Sequence, residues 1–291
     1  MSPATLITRF APSPSGLLHI GHAWSAMMGW RAARAEPDGS FLLRIEDIDS
    51  ARCRPEHEQA ILNDMTWLGL TWYGPVRRQS DHLDDYRAAL DRLQEAGLVY
   101  PCFCTRRQIR DEVRASASAP HGPLGLIYPG TCRSLSDDER QRRIEAGESY
   151  ALRLDMEKAA AHTGPLTWRE KTEGEITVDP MANGDVVVAR KETAASYHLT
   201  VTVDDHIQGV TLINRGRDLY HATPIHRVLQ ALLGYDAPAY DHHGLLLDAD
   251  GKRFAKRDRA VTLQALREAG HTPEEVIAMA ERLAASSAGS G

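Results

Sequence analysis

A short apolar run at residues 5–10 gives way to the loop Pro12-Ser13-Pro14-Ser15-Gly16. From His19-Ile20-Gly21-His22 onward, apolar positions recur at helical spacing to residue 35. The first run is too short for a helix and is bounded by residues that break one, so it reads as a buried strand; the second has the 3.6-residue period of a helix. The pattern then continues. A strand is predicted over 41–45, ending in Glu46-Asp47-Ile48-Asp49, with helices over 55–68 and 83–96. Alternating strands and helices favour a parallel sheet with crossover helices, which binds ligands at the carboxyl ends of its strands. The expected fold class is α/β.

The pattern changes after Tyr100, where cysteines, a Ser/Ala/Pro/Gly stretch at 115–125 and a polar helix predicted over 137–146 intervene. Strand-like alternation returns at 150–154, 185–190, 199–203 and 210–214, followed by a helix over 219–232 and a strand over 244–247. Two short helices, over 263–269 and 273–285, close the chain. The expected organisation is the first half of the sheet domain at 1–100, an inserted α+β subdomain at 101–190, the second half of the sheet at 191–247 and a basic loop with short helices at 248–291.

The chain has 291 residues, is 42% hydrophobic and 25% charged, and so can bury a sizeable core. Its first residues lack a basic segment followed by an apolar run, and no apolar stretch is long enough to span a bilayer, so a cytoplasmic protein without membrane attachment is expected. A net charge of -6 argues against indiscriminate nucleic-acid binding. Arg106, Arg107, Arg110 and Arg114, or Arg140, Arg142 and Arg143, form either a local basic face or ordinary solvated helix surfaces.

Three sets of residues carry chemistry. His19 and His22, at i and i+3 with Gly21 between them at the start of a helix, place two imidazoles and free backbone N–H groups where a polyphosphate and a flat purine can sit; the alternative is a pair of capping or surface histidines. Lys252, Arg253, Lys256 and Arg257 follow the turn-like Asp248-Ala249-Asp250-Gly251 and make either a cationic loop that closes over a triphosphate or an exposed basic turn. Together the two motifs suggest an ATP site closed from both ends of the sequence, with adenylation as the chemistry. Cys102, Cys104 and Cys132 are spaced as metal ligands or as buried thiols, while Cys53 stands apart.

The stretches Arg9-Phe10-Ala11-Pro12-Ser13-Pro14-Ser15-Gly16, Arg44-Ile45-Glu46-Asp47-Ile48-Asp49, Val203-Asp204-Asp205-His206 and Arg215-Gly216-Arg217-Asp218-Leu219 resemble the signatures of class I aminoacyl-tRNA synthetases of the glutamyl type. Arg253-Phe254-Ala255-Lys256-Arg257 resembles that family's lysine loop, with Arg253 in place of its first lysine and Ala255 in place of a serine. The resemblance implies a Rossmann-like catalytic domain with an inserted zinc-containing subdomain. It further implies that Arg9, Phe10, Ala11, Pro12, Ser13, Glu46, Tyr197 and Arg215 bind glutamate, Glu46 receiving the α-ammonium, and that His19, Gly21, His22 and Lys256 bind ATP with Mg2+. His19, His22 and Lys256 are then the catalytic set. The residue types suit these tasks, since a dicarboxylate needs guanidinium forks and an ammonium needs a carboxylate. Asp47, Asp204 and Asp205 are open to metal or substrate binding, to capping or to buried pairing.

The same resemblance implies a structural zinc on Cys102, Cys104, Tyr128 and Cys132. Because the sequence stops soon after the lysine loop, it looks like the family's short branch, which lacks the anticodon-binding domain. That branch activates glutamate without tRNA and attaches it to the queuosine base in the anticodon loop of tRNA(Asp). A monomer is expected. Other readings are a glutamyl-tRNA synthetase acting on tRNA(Glu), an adenylyltransferase sharing only the histidine motif, and a non-catalytic tRNA-binding paralogue.

Overall fold

The computed structural model describes residues 5–115, 121–122, 125–190, 195–246 and 262–288. The chain opens with β1 (Ile7–Phe10), α1 (Ile20–Arg34), β2 (Ser40–Ile45), α2 (Pro55–Trp67), β3 (Arg77–Arg78) and α3 (Leu83–Glu95). It continues through β4 (Val99–Cys102), α4 (Arg106–Ala115), β5 (His121–Gly122), β6 (Gly125–Leu126), α5 (Asp137–Glu145), β7 (Ala151–Leu154), α6 (Met156–Thr163), β8 (Thr167–Glu170), β9 (Gly174–Thr177) and β10 (Val187–Arg190). The last described part holds α7 (Tyr197–Ile207), β11 (Leu212–Gly216), α8 (Thr223–Leu232), β12 (Ala239–His243), α9 (Leu263–Glu268) and α10 (Pro273–Ala288).

β1 pairs in parallel with β2, and β2 with β3. β11 pairs in parallel with β12, which meets β8 at Tyr240 and Glu170. The Thr211 amide donates to the Ile7 carbonyl at 2.9 Å, and the Ile7 amide donates to Thr211 Oγ1 at 2.9 Å, which sets β1 beside β11. The resulting order, β3-β2-β1-β11-β12, places the crossover between chain halves at the β1/β11 boundary, where open α/β sheets hold their ligands. A separate antiparallel sheet, β10-β7-β4, carries the cysteine region.

Two large apolar cores flank this arrangement. One gathers Phe10, Ala26, Leu43, Ile45, Ile61 and Met65 from the first half, and the other Tyr86, Leu154, Met156, Leu199, Val228 and Tyr240. α1 can approach β1 and β2 because Gly29 has no side chain: a Cβ there would stand 3.3 Å from the Phe41 ring and 3.7 Å from the Arg9 carbonyl. Side-chain caps start several helices, with Ser136 on α5, Asp155 on α6 and Thr262 on α9 each accepting a backbone N–H.

Most predicted elements of the sheet domain are found within a few residues of their expected ends. The strand expected over 199–203 is instead the middle of α7. Residues Leu199 to Asp205 are all buried, so the helix offers no polar face to reveal its period, and the Thr/Val alternation imitates a strand. α7 ends where Gly209, at φ 65°, turns the chain into β11. Of the strand expected over 244–247, residues 244–246 are not in a strand and Leu247 lies outside the described residues. β12 lies just before that span and is built from Ala239, Tyr240, Asp241, His242 and His243, and its buried Asp241 and His242 are held by Lys171 and Glu170.

Candidate active site

The ends of β1, β2 and β11, together with the start of α1, surround a cavity of about 390 Å³. Its wall includes Arg9, Phe10, Ala11, Pro12, Ser13, His19, Gly21, His22, Glu46, Tyr197 and Arg215, so every expected glutamate- and ATP-binding residue except Lys256 lines one space. Lys256 and the rest of the basic loop lie outside the described residues. Trp24, Asn214, Asp218 and His243 also line the cavity and were not anticipated.

His19 is the N-cap of α1, and His22 is its third residue. His19 Nδ1 accepts the Gly21 amide at 3.1 Å, and His22 Nδ1 accepts the His19 amide at 3.1 Å, a reciprocal capping box. With Nδ1 accepting, each neutral ring carries its proton on Nε2, so the pair presents two donors. A Cβ on Gly21 would lie 3.1 Å from the His19 ring, so the glycine lets the imidazole fold back over the helix start. Capping and ligand binding, alternatives in the sequence, are therefore compatible here.

Beneath the opposite wall lies a buried ionic cluster. Arg44 is fully buried and donates to Asp205 at 2.8 Å, Glu46 at 3.2 Å and Gln208 at 2.8 Å, and its Nε lies 3.6 Å from Asp204. Burial works against its charge, but Asp205, Glu46 and Asp204 more than offset this and raise its pKa. Arg9 forms a second ion pair with Asp205 at 3.0 Å. Burial pushes the Asp205 carboxyl up, yet Arg9 and Arg44 outweigh it and hold the group below the usual carboxylate value. Glu46 goes the other way, its pKa raised by burial despite the pull of Arg44 and Arg9. Glu46 is thus less well neutralised than Asp205. Arg44 was not singled out beforehand, although it opens the quoted Arg44-Ile45-Glu46-Asp47-Ile48-Asp49 stretch.

Asp204 is taken up by Arg77 at 2.7 Å, Gln79 at 2.9 Å and the Tyr86 hydroxyl at 2.9 Å, while Asp47 accepts the Ser80 amide at 2.8 Å and its hydroxyl at 2.6 Å. For these acids, buried pairing and capping account for the residues.

Arg215 is buried, yet no carboxylate among the described residues lies within ion-pair distance of it. Its Nε, Nη1 and Nη2 meet His242 Nε2 at 3.0 Å, His226 Nδ1 at 3.1 Å and Thr223 Oγ1 at 2.7 Å. A guanidinium held only by neutral acceptors leaves a net positive charge at the cavity wall. Tyr197 stands beside it, its hydroxyl pKa raised by burial.

A second cavity of about 480 Å³ shares Tyr197 with the first and is lined by Asp49, Arg52, Arg153, Asp185, Arg190 and His198 among others.

Beside the second cavity, whose wall includes Tyr128, the sulfurs of Cys102, Cys104 and Cys132 lie within 4.8 Å of one another. Cys104 Sγ is 3.5 Å from Cys132 Sγ and 3.6 Å from the Tyr128 hydroxyl. A tetrahedral zinc with thiolate bonds of about 2.3 Å requires sulfur–sulfur edges of about 3.8 Å, so the donor set fits that ion in type and in spacing. The Cys132 amide donates to the Tyr128 oxygen at 2.8 Å, which holds that hydroxyl beside the sulfurs. Burial pushes the Cys104 thiol up to about 12; burial also opposes ionisation of Cys132, but hydrogen bonds from Tyr128 and the Phe103 amide prevail and lower it.

Comparison with known proteins defines the class. The profile of the catalytic domain of class I tRNA synthetases (E and Q) matches residues 5–290. The chain belongs to this family and is a ligase of the class I synthetase type. A protein of Rhodobacter capsulatus named glutamyl-Q tRNA(Asp) synthetase is 51% identical over 276 residues, covering 93% of this chain and 98% of that one. The glutamate–tRNA ligase of Aquifex aeolicus is 35% identical over 270 residues, with 92% of this chain aligned to 54% of the longer protein. Among solved structures, the glutamate tRNA ligase of Elizabethkingia meningosepticum in complex with its amino acid superposes with a TM-score of 0.77 at 26% identity, covering 95% of this chain and 60% of that one. No helix among the described residues is long and apolar enough to cross a membrane.

Proposed function

We propose that the protein condenses glutamate with MgATP to glutamyl-adenylate and transfers the glutamyl group to the queuosine base in the anticodon loop of tRNA(Asp). The observation that carries the amino-acid half is the pairing, on one cavity wall, of a buried cation lacking a counter-carboxylate, Arg215, with an under-neutralised carboxylate, Glu46. A zwitterion with an anionic side chain complements both. The α-carboxylate must stay free to attack phosphorus, so Arg215 takes the side-chain carboxylate and Glu46 the α-ammonium, while Arg9 and Ser13 complete the wall. This leaves the α-carboxylate facing the His19/His22 end.

There the two Nε2–H donors and the first amides of α1 meet the phosphates. An oxygen of the α-carboxylate attacks the α-phosphorus as the bond to pyrophosphate breaks. No protein nucleophile takes part; position and cations do the work, and Lys256 supplies the charge that neutralises the pentacoordinate phosphorus. A hydroxyl of the acceptor then attacks the acyl carbon and AMP leaves. The second cavity, which shares the wall residue Tyr197 with the first, is the approach for that acceptor. Cys102, Cys104, Cys132 and Tyr128 would hold a zinc that clamps their segment and stays outside the chemistry.

The acceptor is supported by the relatives named glutamyl-Q tRNA(Asp) synthetase, of which this chain covers 98%, 82%, 84% and 81% of the length. The test supplies ATP and radiolabelled glutamate with queuosine-containing tRNA(Asp), unmodified tRNA(Asp) or tRNA(Glu). Label on the queuosine-containing tRNA alone is expected; label on tRNA(Glu) would replace the reading with translational charging, and no label on any tRNA would refute transfer.

A further inference from the structure

Behind Arg215 lies a polar relay that never reaches the cavity through its acidic end. Glu170 is buried, its Oε2 2.7 Å from His242 Nδ1, and its Oε1 accepts the His242 amide at 3.1 Å. A carboxylate on Nδ1 fixes the imidazole proton there and makes Nε2 an acceptor, and that atom faces Arg215 Nε at 3.0 Å. On the other side, His226 Nδ1 accepts from Arg215 Nη1, which places the His226 proton on Nε2, directed at His198 Nδ1 at 3.1 Å. Both rings stay neutral. Burial lowers the pKa of each and the Arg215 charge lowers it further, His242 to about 3.

Had Glu170 touched Arg215 directly, the pair would be neutral and the cavity would favour an uncharged side chain such as an amide. The imidazole spaces the carboxylate away while still presenting a lone pair to the guanidinium.

We infer that Glu170, acting through His242, is a positioning residue that keeps Arg215 oriented and without a contacting counter-charge, and so sets the preference for an anionic side chain over its amide. This inference rests on the proposed glutamate site, since it concerns how that site's cation is held.

Glu170→Gln tests it. The glutamate and glutamine side chains have nearly the same shape, but a carboxamide can accept only one of the two N–H groups that Glu170 accepts. With its oxygen kept on the His242 amide, its NH2 faces Nδ1, drives the ring proton to Nε2 and sets that donor against the Arg215 Nε–H. With the opposite orientation, NH2 opposes the backbone N–H of the strand that carries His242. In ATP–pyrophosphate exchange without tRNA, the expected result is a KM for glutamate raised on the order of 10-fold or more, consistent with loss of a hydrogen bond to a charged group. The KM for ATP should stay within about two-fold, because the histidine pair on α1 is untouched, and glutamine should compete better than against the wild type.

Should Glu170→Gln fail to fold, His242→Gln and His242→Met serve instead. Glutamine offers a carbonyl oxygen to Arg215 and should largely retain the KM for glutamate, whereas methionine offers no comparable acceptor and should raise it. An unchanged glutamate KM in folded Glu170→Gln, or equal values in the two His242 variants, overturns the inference. Absence of glutamate-dependent exchange in the wild type would instead remove the glutamate reading itself, so the two failures are distinguishable.

Discussion

Replacing Glu46 by Gln separates binding from folding. The side chain is 12% exposed and touches Arg44 at 3.2 Å, and the glutamine carbonyl can still accept that bond. What disappears is the negative charge proposed to meet the ammonium of glutamate. A hydrogen bond to a charged group contributes about 1.5–3 kcal/mol, which at about 1.4 kcal/mol per tenfold predicts a rise of roughly 10- to 100-fold in the glutamate requirement. ATP is proposed to bind at the other end of the cavity, so its KM should hold.

Stability should move the opposite way. Burial raises the Glu46 pKa, so the folded protein binds that proton more tightly than the unfolded chain does. Its contribution to stability is full below the ordinary carboxyl pKa and is lost as pH rises through the raised value. At pH 7.5 the amide avoids that cost, and Glu46→Gln should melt at or above the wild-type temperature. Exchange kinetics over a glutamate series, beside thermal melts at pH 7.5, check both halves. An equal rise in both KM values, or a melting temperature several degrees lower, would refute the assignment and make Glu46 a structural member of the ionic cluster.

Lys256→Ala should slow adenylate formation on the order of 10²- to 10³-fold with the melting temperature unchanged; exchange at the wild-type rate would remove the lysine from the mechanism. Cys132→Ser should lower the zinc content from about one equivalent per chain and the melting temperature together, and full retention of zinc by mass or emission spectrometry would contradict the ligand set. Asp64 is buried against Arg267 at 3.2 Å, and burial raises its carboxyl to about 6. Its stabilising contribution is present below about 3.8 and lost as pH rises to about 6, so the wild type should lose stability relative to Asp64→Asn across that window. Melting curves that run parallel for the two proteins from pH 4 to 7 would contradict this.

Much of the catalytic half was legible because local signals agree there. The Pro/Gly loop between a short apolar run and a periodic segment specifies β1 and α1, and the His19/His22 spacing puts both rings at the helix start. Arg9, Glu46 and Arg215 were identifiable by motif, and the fold brings them to one cavity. The support behind them was not legible. Arg44 reads as one more strand residue, and only the fold shows it fully buried among Glu46, Asp204 and Asp205. Glu170, His226 and His242 are far apart in sequence and follow no pattern that links them to Arg215. α7 was misread because a helix buried on every side loses its amphipathic period, and β12 was missed because Asp241 and His242 give it a polar sequence although both are buried against partners.

The Arg9–Asp205 ion pair joins positions 196 residues apart, and the Ile7–Thr211 bond positions 204 apart. During synthesis the nascent chain therefore emerges with β1, α1 and β2 long before the strand that completes their sheet. Until α7 leaves the ribosome, Arg9 and Arg44 lack Asp205, and until β11 follows, one edge of β1 is uncovered. The proposed pocket is thus completed late, once the second half of the sheet docks on the first. Two fragments divided within the intervening region would each lack half of the pocket, and activity regained on mixing them would report the reassembly of that seam.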